Sequence, residues 1–205
     1  MDMEYTDGVL KFEKELSELD RLVIDFVRVL DKSGTSYVIV SGYIAILLGR
    51  SRTTEDVDLF IAPSSKEEFL GFCKNALRNG FRLLNADNPD DAYDLIEDGS
   101  SLRMIKGDVL FPNFEIKLPR SSIANICMSE RIKIIVNGHA INASPLELQI
   151  AYKLYLGGEK DFDDARHIYR VLDRMLDQDK FKYYLKEMHI RNSVIKDALG
   201  DDLEA

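Results

Sequence analysis

Two aspartates, two positions apart, begin one of the more apolar segments of the chain. Residues 56–62 read Asp-Val-Asp-Leu-Phe-Ile-Ala. Side chains at positions i and i+2 of a strand lie on the same face, so the carboxylates of Asp56 and Asp58 would stand about 7 Å apart or less. At that separation they repel each other by about 2 kcal/mol at an effective dielectric constant of ~20. A divalent cation with oxygen ligands is the usual counter-ion for such a pair.

An isolated Asp-x-Asp pair is more often the solvated start of a strand than a metal site, and three neighbouring features favour the metal site here. Ser41 and Gly42 form a strand-to-helix turn, where backbone N–H groups can reach a phosphate. Residues 49–54 (Gly-Arg-Ser-Arg-Thr-Thr) are polar and basic and lead directly into the aspartates. Glu115 is an acid inside an apolar segment and could supply a third carboxylate from a neighbouring strand.

The hydrophobic pattern predicts the elements that would position these residues. Apolar residues at steps of three and four predict an amphipathic helix over 12–30, and β-branched segments predict strands at 36–40 and 56–62. Asn137–Gly138 between two alternating segments predicts a type I′ hairpin over 131–143.

The character of the chain changes at Ser144. Ser144-Pro145-Leu146-Glu147 has the form of a capping box, and only helical segments follow it. We therefore expect a mixed α/β domain at 1–143 and a helical domain at 144–205. Tyr152, Tyr155 and Tyr169 fall at helical steps and are expected in the core of the helical part.

The sequence resembles the DNA polymerase beta-type nucleotidyltransferase superfamily. Residues 40–45 (Val-Ser-Gly-Tyr-Ile-Ala) and 49–59, which end in Asp56-Val57-Asp58-Leu59, are similar to its core motif of a Gly-Gly or Gly-Ser turn, a helix, and Asp-x-Asp on the next strand. Residues 144–147, Lys153 and 160–165 resemble the helical motifs of abortive-infection toxin nucleotidyltransferases and related minimal prokaryotic proteins. The resemblance covers residues 36–170. It implies an α/β (α+β) fold with a mixed β-sheet flanked by helices and a C-terminal helical bundle.

This resemblance also implies a reaction, the transfer of a nucleoside monophosphate from a nucleoside triphosphate such as ATP to an acceptor hydroxyl, with release of pyrophosphate. Asp56, Asp58 and Glu115 would be the catalytic and metal-binding residues, and they would hold two Mg²⁺ ions, with Mn²⁺ as an alternative. Glu115 matches the third carboxylate of the family and is the candidate general base. The nucleotide-binding residues would be Ser41, Gly42, Arg52, Lys153 and Asp164.

Each of these assignments has a simpler alternative. Lys153 could be a lysine at a helix edge with its amine in solvent, Asp164 a charge in the first turn of a helix, and Arg52 a solvated loop residue. The chain also departs from the family pattern, because Ser41 replaces the first glycine and Glu115 replaces an aspartate. A second hypothesis is therefore a catalytically idle nucleotidyltransferase fold that binds nucleotide or another protein.

Composition limits the partners. The chain has 205 residues and a formal net charge of −9, which argues against unspecific binding to nucleic acid. No apolar stretch reaches the ~18 residues of a membrane span, and the acidic N-terminus lacks the features of a signal peptide, so a cytoplasmic protein is expected.

The sequence leaves three classes of acceptor open: a tRNA or RNA end, a protein, and a small molecule. It also leaves open a toxin–antitoxin role, a partner protein and a homodimer. A tRNA acceptor would need a local basic patch, for which the candidates are Arg50, Arg52, Lys117 and Arg120.

Overall fold

The computed structural model describes residues 2–200, with the backbone alone for Asp173. The strands are β1 Met3–Thr6, β2 Val9–Phe12, β3 Ser36–Ile39, β4 Asp56–Ala62, β5 Phe81–Leu83, β6 Leu102–Lys106, β7 Asn113–Lys117, β8 Ile132–Val136 and β9 His139–Ala143. The helices are α1 Glu18–Lys32, α2 Gly42–Leu47, α3 Lys66–Arg78, α4 Pro89–Glu97, α5 Ser122–Ser129, α6 Leu146–Leu156, α7 Glu159–Leu172, α8 Gln178–Glu187 and α9 Asn192–Leu199, and a 3-10 turn covers Asp173–Met175.

All of these strands belong to one mixed sheet in the order β1-β2-β8-β9-β3-β4-β7-β6-β5. Strands β4 and β7 lie next to each other near its middle and run parallel, with Asp56 opposite Asn113 and Asp58 opposite Glu115. Strand β3 runs antiparallel to β4 on the other side. The predicted mixed α/β fold is confirmed, and the strands that carry the acidic residues are adjacent.

The N-terminal helix is shorter than predicted. Helix α1 begins at Glu18, where Ser17 and Asp20 form a reciprocal capping box. Phe12 instead ends β2, in which Leu10 and Phe12 are buried and Lys11 is exposed. This period of two belongs to a strand, but a segment of four residues is too short to show it clearly in the sequence.

The predicted hairpin is confirmed. Strands β8 and β9 pair antiparallel on either side of Asn137 and Gly138, both of which have positive φ angles. A type I′ turn requires this geometry.

An aromatic core fixes the orientation of β7. Phe114 stacks on Phe26 of α1, with ring centroids 3.9 Å apart, and meets Phe81 edge to face. Phe114 and Ile116 are buried. Because side chains alternate along a strand, this packing turns Glu115 to the opposite face of the sheet.

The predicted capping box at the start of the helical part is wrong. Helix α6 begins at Leu146, and no side chain caps its first turn. The Ser144 hydroxyl instead donates to Oε1 of Gln149 at 3.0 Å, and Oε1 of Glu147 accepts a hydrogen bond from the backbone of Asp177. A local contact thus takes the Ser144 hydroxyl, and a tertiary contact takes the Glu147 carboxylate. Within residues 2–200, no helix combines the length and the apolar character needed to cross a membrane.

Candidate active site

Three carboxylates share one face at the centre of the sheet. Val57 and Leu59 point into the core and are buried, so Asp56 and Asp58 point to the other face, where both are half-buried. The register of β4 and β7 places Glu115 directly beside Asp58 on that face. The structure therefore brings together the three acids that the sequence analysis singled out.

The electrostatic environment differs between these acids. Burial, together with the charges of Asp56 and Glu115, raises the pKa of Asp58 from 3.8 to about 6. Burial would also raise the pKa of Glu115, but hydrogen bonds from Lys117 and Ser101 outweigh it and hold that pKa below its usual value. The Lys117 ammonium lies 3.0 Å from Glu115. Negative charge is therefore compensated at Glu115 and left uncompensated at the aspartates.

The raised pKa of Asp58 predicts a pH-dependent stability for the metal-free protein. The folded state holds a proton on Asp58 that the unfolded state releases near its ordinary pKa of 3.8, so this group's contribution is lost as the pH rises from about 4 through about 6. We expect the free energy of unfolding of Asp58→Asn to rise relative to that of the parent protein as the pH increases from about 4 to about 6. Above pH 6 the difference between the two proteins should stay constant. Urea denaturation of both proteins in EDTA, at steps between pH 4 and 7, measures the difference. A difference that does not change with pH would contradict the assignment.

The turn before α2 is held in an unusual conformation beside Asp58. Ser41 has φ 64° and ψ −138°, a region that side-chain-bearing residues rarely adopt. The amide of Gln149 clamps it, because Nε2 donates to the Ser41 carbonyl at 3.0 Å and Oε1 accepts from the Ser41 N–H at 3.2 Å. A hydrogen bond with the Ser41 hydroxyl also lowers the pKa of Asp58. Sequence reasoning missed Gln149, whose signal is a buried amide inside an apolar helix.

The absence of a side chain at Gly42 lets the Arg52 guanidinium lie close to the backbone of the turn. A Cβ at this position would overlap the Arg52 guanidinium. The Arg52 side chain therefore lies against the backbone of the turn, and only glycine leaves room for it.

Arg52 belongs to a group of charges with a buried centre and a partly exposed rim, here called the ion cluster. It consists of Arg50, Arg52, Lys153, Asp161, Asp163 and Asp164. Asp164 is fully buried at its centre, where it accepts from Nε and Nη2 of Arg52 at 3.0 Å each, from Lys153 at 3.1 Å and from Arg50. Lys153 also contacts Asp161 at 2.7 Å. The structure thus brings Arg52, Lys153 and Asp164 together next to Gly42, but their charges are directed at one another.

A cavity of about 230 Å³ lies next to Ser41 and is lined by none of the residues of the ion cluster. Asp58 and Glu115 form part of its wall, with Ser41, Gln149 and Lys117. Helices α5 and α6 and strand β4 supply most of the remaining wall, which is apolar: Phe60, Ile123, Ala124, Leu148, Tyr152 and Leu156. This arrangement places a small apolar pocket directly beside two of the three carboxylates.

The tyrosines of α6 are not the core residues that the sequence predicts. Tyr155 is 59% exposed and stacks on Tyr152, with ring centroids 6.2 Å apart. Tyr152 is half-buried and lines the cavity. The prediction that these two tyrosines lie in the core is therefore wrong.

The carboxylate oxygens of Asp56, Asp58 and Glu115 are suitable ligands for a hard divalent cation. The three carboxylates do not, however, converge on one position. Within the described residues, no group of three or more His, Cys, Asp or Glu side chains is arranged to hold a metal ion. Neither Asp56 nor Asp58 forms an ion pair within residues 2–200.

Comparison with known proteins supports the same fold. No protein-family model matches the chain, and no curated protein matches it in sequence. Among solved structures, an antigenic nucleotidyltransferase-like protein from Paracoccidioides brasiliensis aligns over 93% of this chain and 96% of its own, with 17% identity and a TM-score of 0.58. The antibiotic-resistance factor ANT(2'')-Ia aligns in two structures. Its crystal structure with adenylyl-2''-tobramycin covers 84% of this chain and 98% of its own (14% identity, TM-score 0.56), and its solution structure covers 88% and 97% (13%, 0.54). The chain therefore has the fold of the nucleotidyltransferase superfamily that its motifs resemble.

Proposed function

We propose that this protein is a Mg²⁺-dependent nucleotidyltransferase that moves a nucleoside monophosphate from a nucleoside triphosphate to an acceptor hydroxyl and releases pyrophosphate. The observation that carries the proposal is the placement of Asp56, Asp58 and Glu115 on one face of two adjacent parallel strands. They lie beside the Ser41–Gly42 turn, in a nucleotidyltransferase fold. The fold alone would not carry the proposal, since one fold can serve many functions.

Asp56 and Asp58 would hold the metal, with Glu115 sharing it. Two Mg²⁺ ions are expected, and Mn²⁺ is an alternative. When bound, such ions neutralise the triphosphate and lower the pKa of the attacking hydroxyl. Lys117 and Ser101 hold the pKa of Glu115 below its usual value, so Glu115 would bind the metal as a carboxylate. A base of low pKa could take the proton of the acceptor hydroxyl once a bound metal had lowered the pKa of that hydroxyl.

The nucleotide would lie on the side of the turn where the ion cluster begins. Gly42 would offer its backbone N–H at the start of α2. The Ser41 N–H already donates to Gln149 and its hydroxyl already bonds to Asp58, so Ser41 would reach a phosphate only by turning its hydroxyl away from Asp58. Arg52 and Lys153 would supply positive charge to the triphosphate. Asp164 would position both cations rather than contact the nucleotide, because it is fully buried between them.

One observation favours the second candidate, a nucleotide-binding or protein-interaction module without turnover. Arg52 and Lys153 are already paired with Asp164, so a triphosphate must compete with a buried carboxylate for their charge. If Arg52 and Lys153 stay paired with Asp164 when a triphosphate is present, the protein keeps its fold but does not catalyse nucleotidyl transfer.

Labelled nucleotides distinguish the two candidates. The full chain is incubated with MgCl₂ and each of the four α-³²P-labelled nucleoside triphosphates, with tRNA, bacterial lysate protein or hydroxylated small molecules as acceptors. We expect pyrophosphate release coupled to labelling of one acceptor class, loss of both with EDTA, and recovery on adding Mg²⁺. Calorimetric binding of Mg²⁺–ATP with no pyrophosphate from any acceptor would favour the module. Absence of Mg²⁺-dependent binding of all four triphosphates would leave the aspartates a purely structural role.

A further inference from the structure

We infer that the cavity beside Asp58 and Glu115 is the acceptor pocket and that it takes a small, uncharged molecule with a hydroxyl group on a flat, apolar body. The inference rests on the proposed function and names the acceptor class for that site.

The position of the cavity separates it from the expected triphosphate. Arg52 lies against Gly42 on one side of the turn, and Lys153 joins it through Asp164. None of the residues of the ion cluster lines the cavity, whereas Ser41 does. A highly charged triphosphate belongs with the cations, so the cavity is left for the acceptor, with its hydroxyl towards Asp58 and Glu115.

The charges on the cavity wall exclude a polycationic acceptor. Asp58, Glu115 and Lys117 are the charged residues among those that line it. The two acids are assigned to the metal, and Lys117 is paired with Glu115 at 3.0 Å. Among the described residues 2–200, no further lining carboxylate is left to bind the amines of an aminoglycoside, whose burial without partners would be costly.

The surrounding cations also argue against a nucleic-acid acceptor. The structure pairs all four candidates for a basic patch with acids: Arg50 with Asp163 and Asp164, Arg52 with Asp164, Lys117 with Glu115, and Arg120 with Glu97. With a net charge of −9 on the whole chain, little positive potential is available to attract a phosphate backbone.

The shape and chemistry of the cavity indicate a flat apolar body. Its volume of about 230 Å³ is below the roughly 300–1,000 Å³ of sites for drug-sized ligands, so it suits one ring system with a short side chain. Two aromatic side chains, Phe60 and Tyr152, line it. Aromatic rings pack favourably against a planar apolar partner.

Ligand-observed NMR with 2-naphthaleneethanol tests the inference on the full chain, in the presence of Mg²⁺ and a non-hydrolysable ATP analogue. We expect the alcohol and the analogue to bind at the same time. Tyr152→Ala should weaken binding of the alcohol by about 10-fold, the effect of losing an aromatic contact and its buried area. Ala124→Trp, which fills the cavity, should weaken it at least as much. The control is Tyr183→Ala, at a tyrosine of α8 that is 54% exposed and distant from the cavity lining, and we expect it to bind like the parent.

The possible results separate this inference from the proposed function. Failure of the parent protein to bind Mg²⁺ and the ATP analogue would overturn the proposed function, and the inference with it. Binding of the analogue without the alcohol would overturn the inference alone. So would equal binding by all three variants, or competition between alcohol and analogue, which would place the nucleotide base in the cavity. Labelling of tobramycin or of an RNA oligonucleotide from ATP would also overturn it.

Discussion

Asp58→Asn is expected to lower the rate of nucleotidyl transfer by more than about 100-fold, because loss of an outer partner of a metal site alone costs about 10–100-fold and Asp58 is proposed as a direct ligand. Asparagine keeps the size of the side chain and one oxygen, so the loss reports on charge. Asp58 lies between Glu115 and the Ser41 turn, where a charge change acts directly on the bound metal. Label transfer at saturating Mg²⁺ measures the rate, and calorimetry measures Mg²⁺-dependent binding of the triphosphate.

Asp25→Asn is the matched control for this variant. Asp25 lies on α1, half exposed and paired with Arg28, so its replacement should leave transfer unchanged. Denaturation of both variants in EDTA shows that each is folded. An Asp58→Asn protein that transfers label at the parent rate would remove Asp58 from the catalytic site and weaken the proposal as a whole.

Asp164→Ala is expected to lower the free energy of unfolding by about 3–5 kcal/mol, the range for removing one partner from a buried ion pair. Asp164 is fully buried, and its loss would leave Arg50, Arg52 and Lys153 with excess positive charge in a desolvated space. Urea denaturation followed by circular dichroism measures the change. If the alanine variant does not fold, Asp164→Asn, which keeps the hydrogen-bonding shape, should fold and show a smaller loss.

Asp163→Ala serves as the control for this cluster. Asp163 is 47% exposed and pairs with Arg50 and Arg166, and exposed ion pairs contribute about 0–1 kcal/mol. If both alanine variants lose the same free energy of unfolding, burial of Asp164 does not determine how much this residue contributes to stability.

The carboxylate site could be predicted from the sequence because local rules determine most of it. The i, i+2 spacing alone places Asp56 and Asp58 on one face, and the acid within an apolar strand identifies Glu115. The hairpin at Asn137–Gly138 follows from the φ angles that only certain residues adopt readily. The spacing of the aspartates and the hairpin depend on neighbours along the chain, whereas the position of Glu115 beside Asp58 depends on the pairing of β4 with β7, which lie far apart in the sequence.

The rest of the site depends on contacts that no local rule contains. Gln149 forms hydrogen bonds with Ser41, which lies 108 positions earlier in the chain. Arg52 pairs with Asp164, which lies 112 positions later. A single sequence shows that these charges exist but does not show which of them pair. At Ser144 the hydroxyl bonds to Gln149, only five positions away, whereas the Glu147 carboxylate is taken by the backbone of Asp177, 30 positions away, and this second contact is the one that no local rule contains.

The conformation of Ser41 carries a consequence for how the site could be improved or damaged. A glycine would adopt the same φ and ψ at lower energy, so serine at this position makes the folded chain less stable than it could be. Its hydroxyl is also a hydrogen-bond partner of Asp58, and a glycine would remove it. Position 41 is therefore a place where thermostability and ionisation of Asp58 oppose each other, and a variant selected only for resistance to heat would tend to lose the hydroxyl.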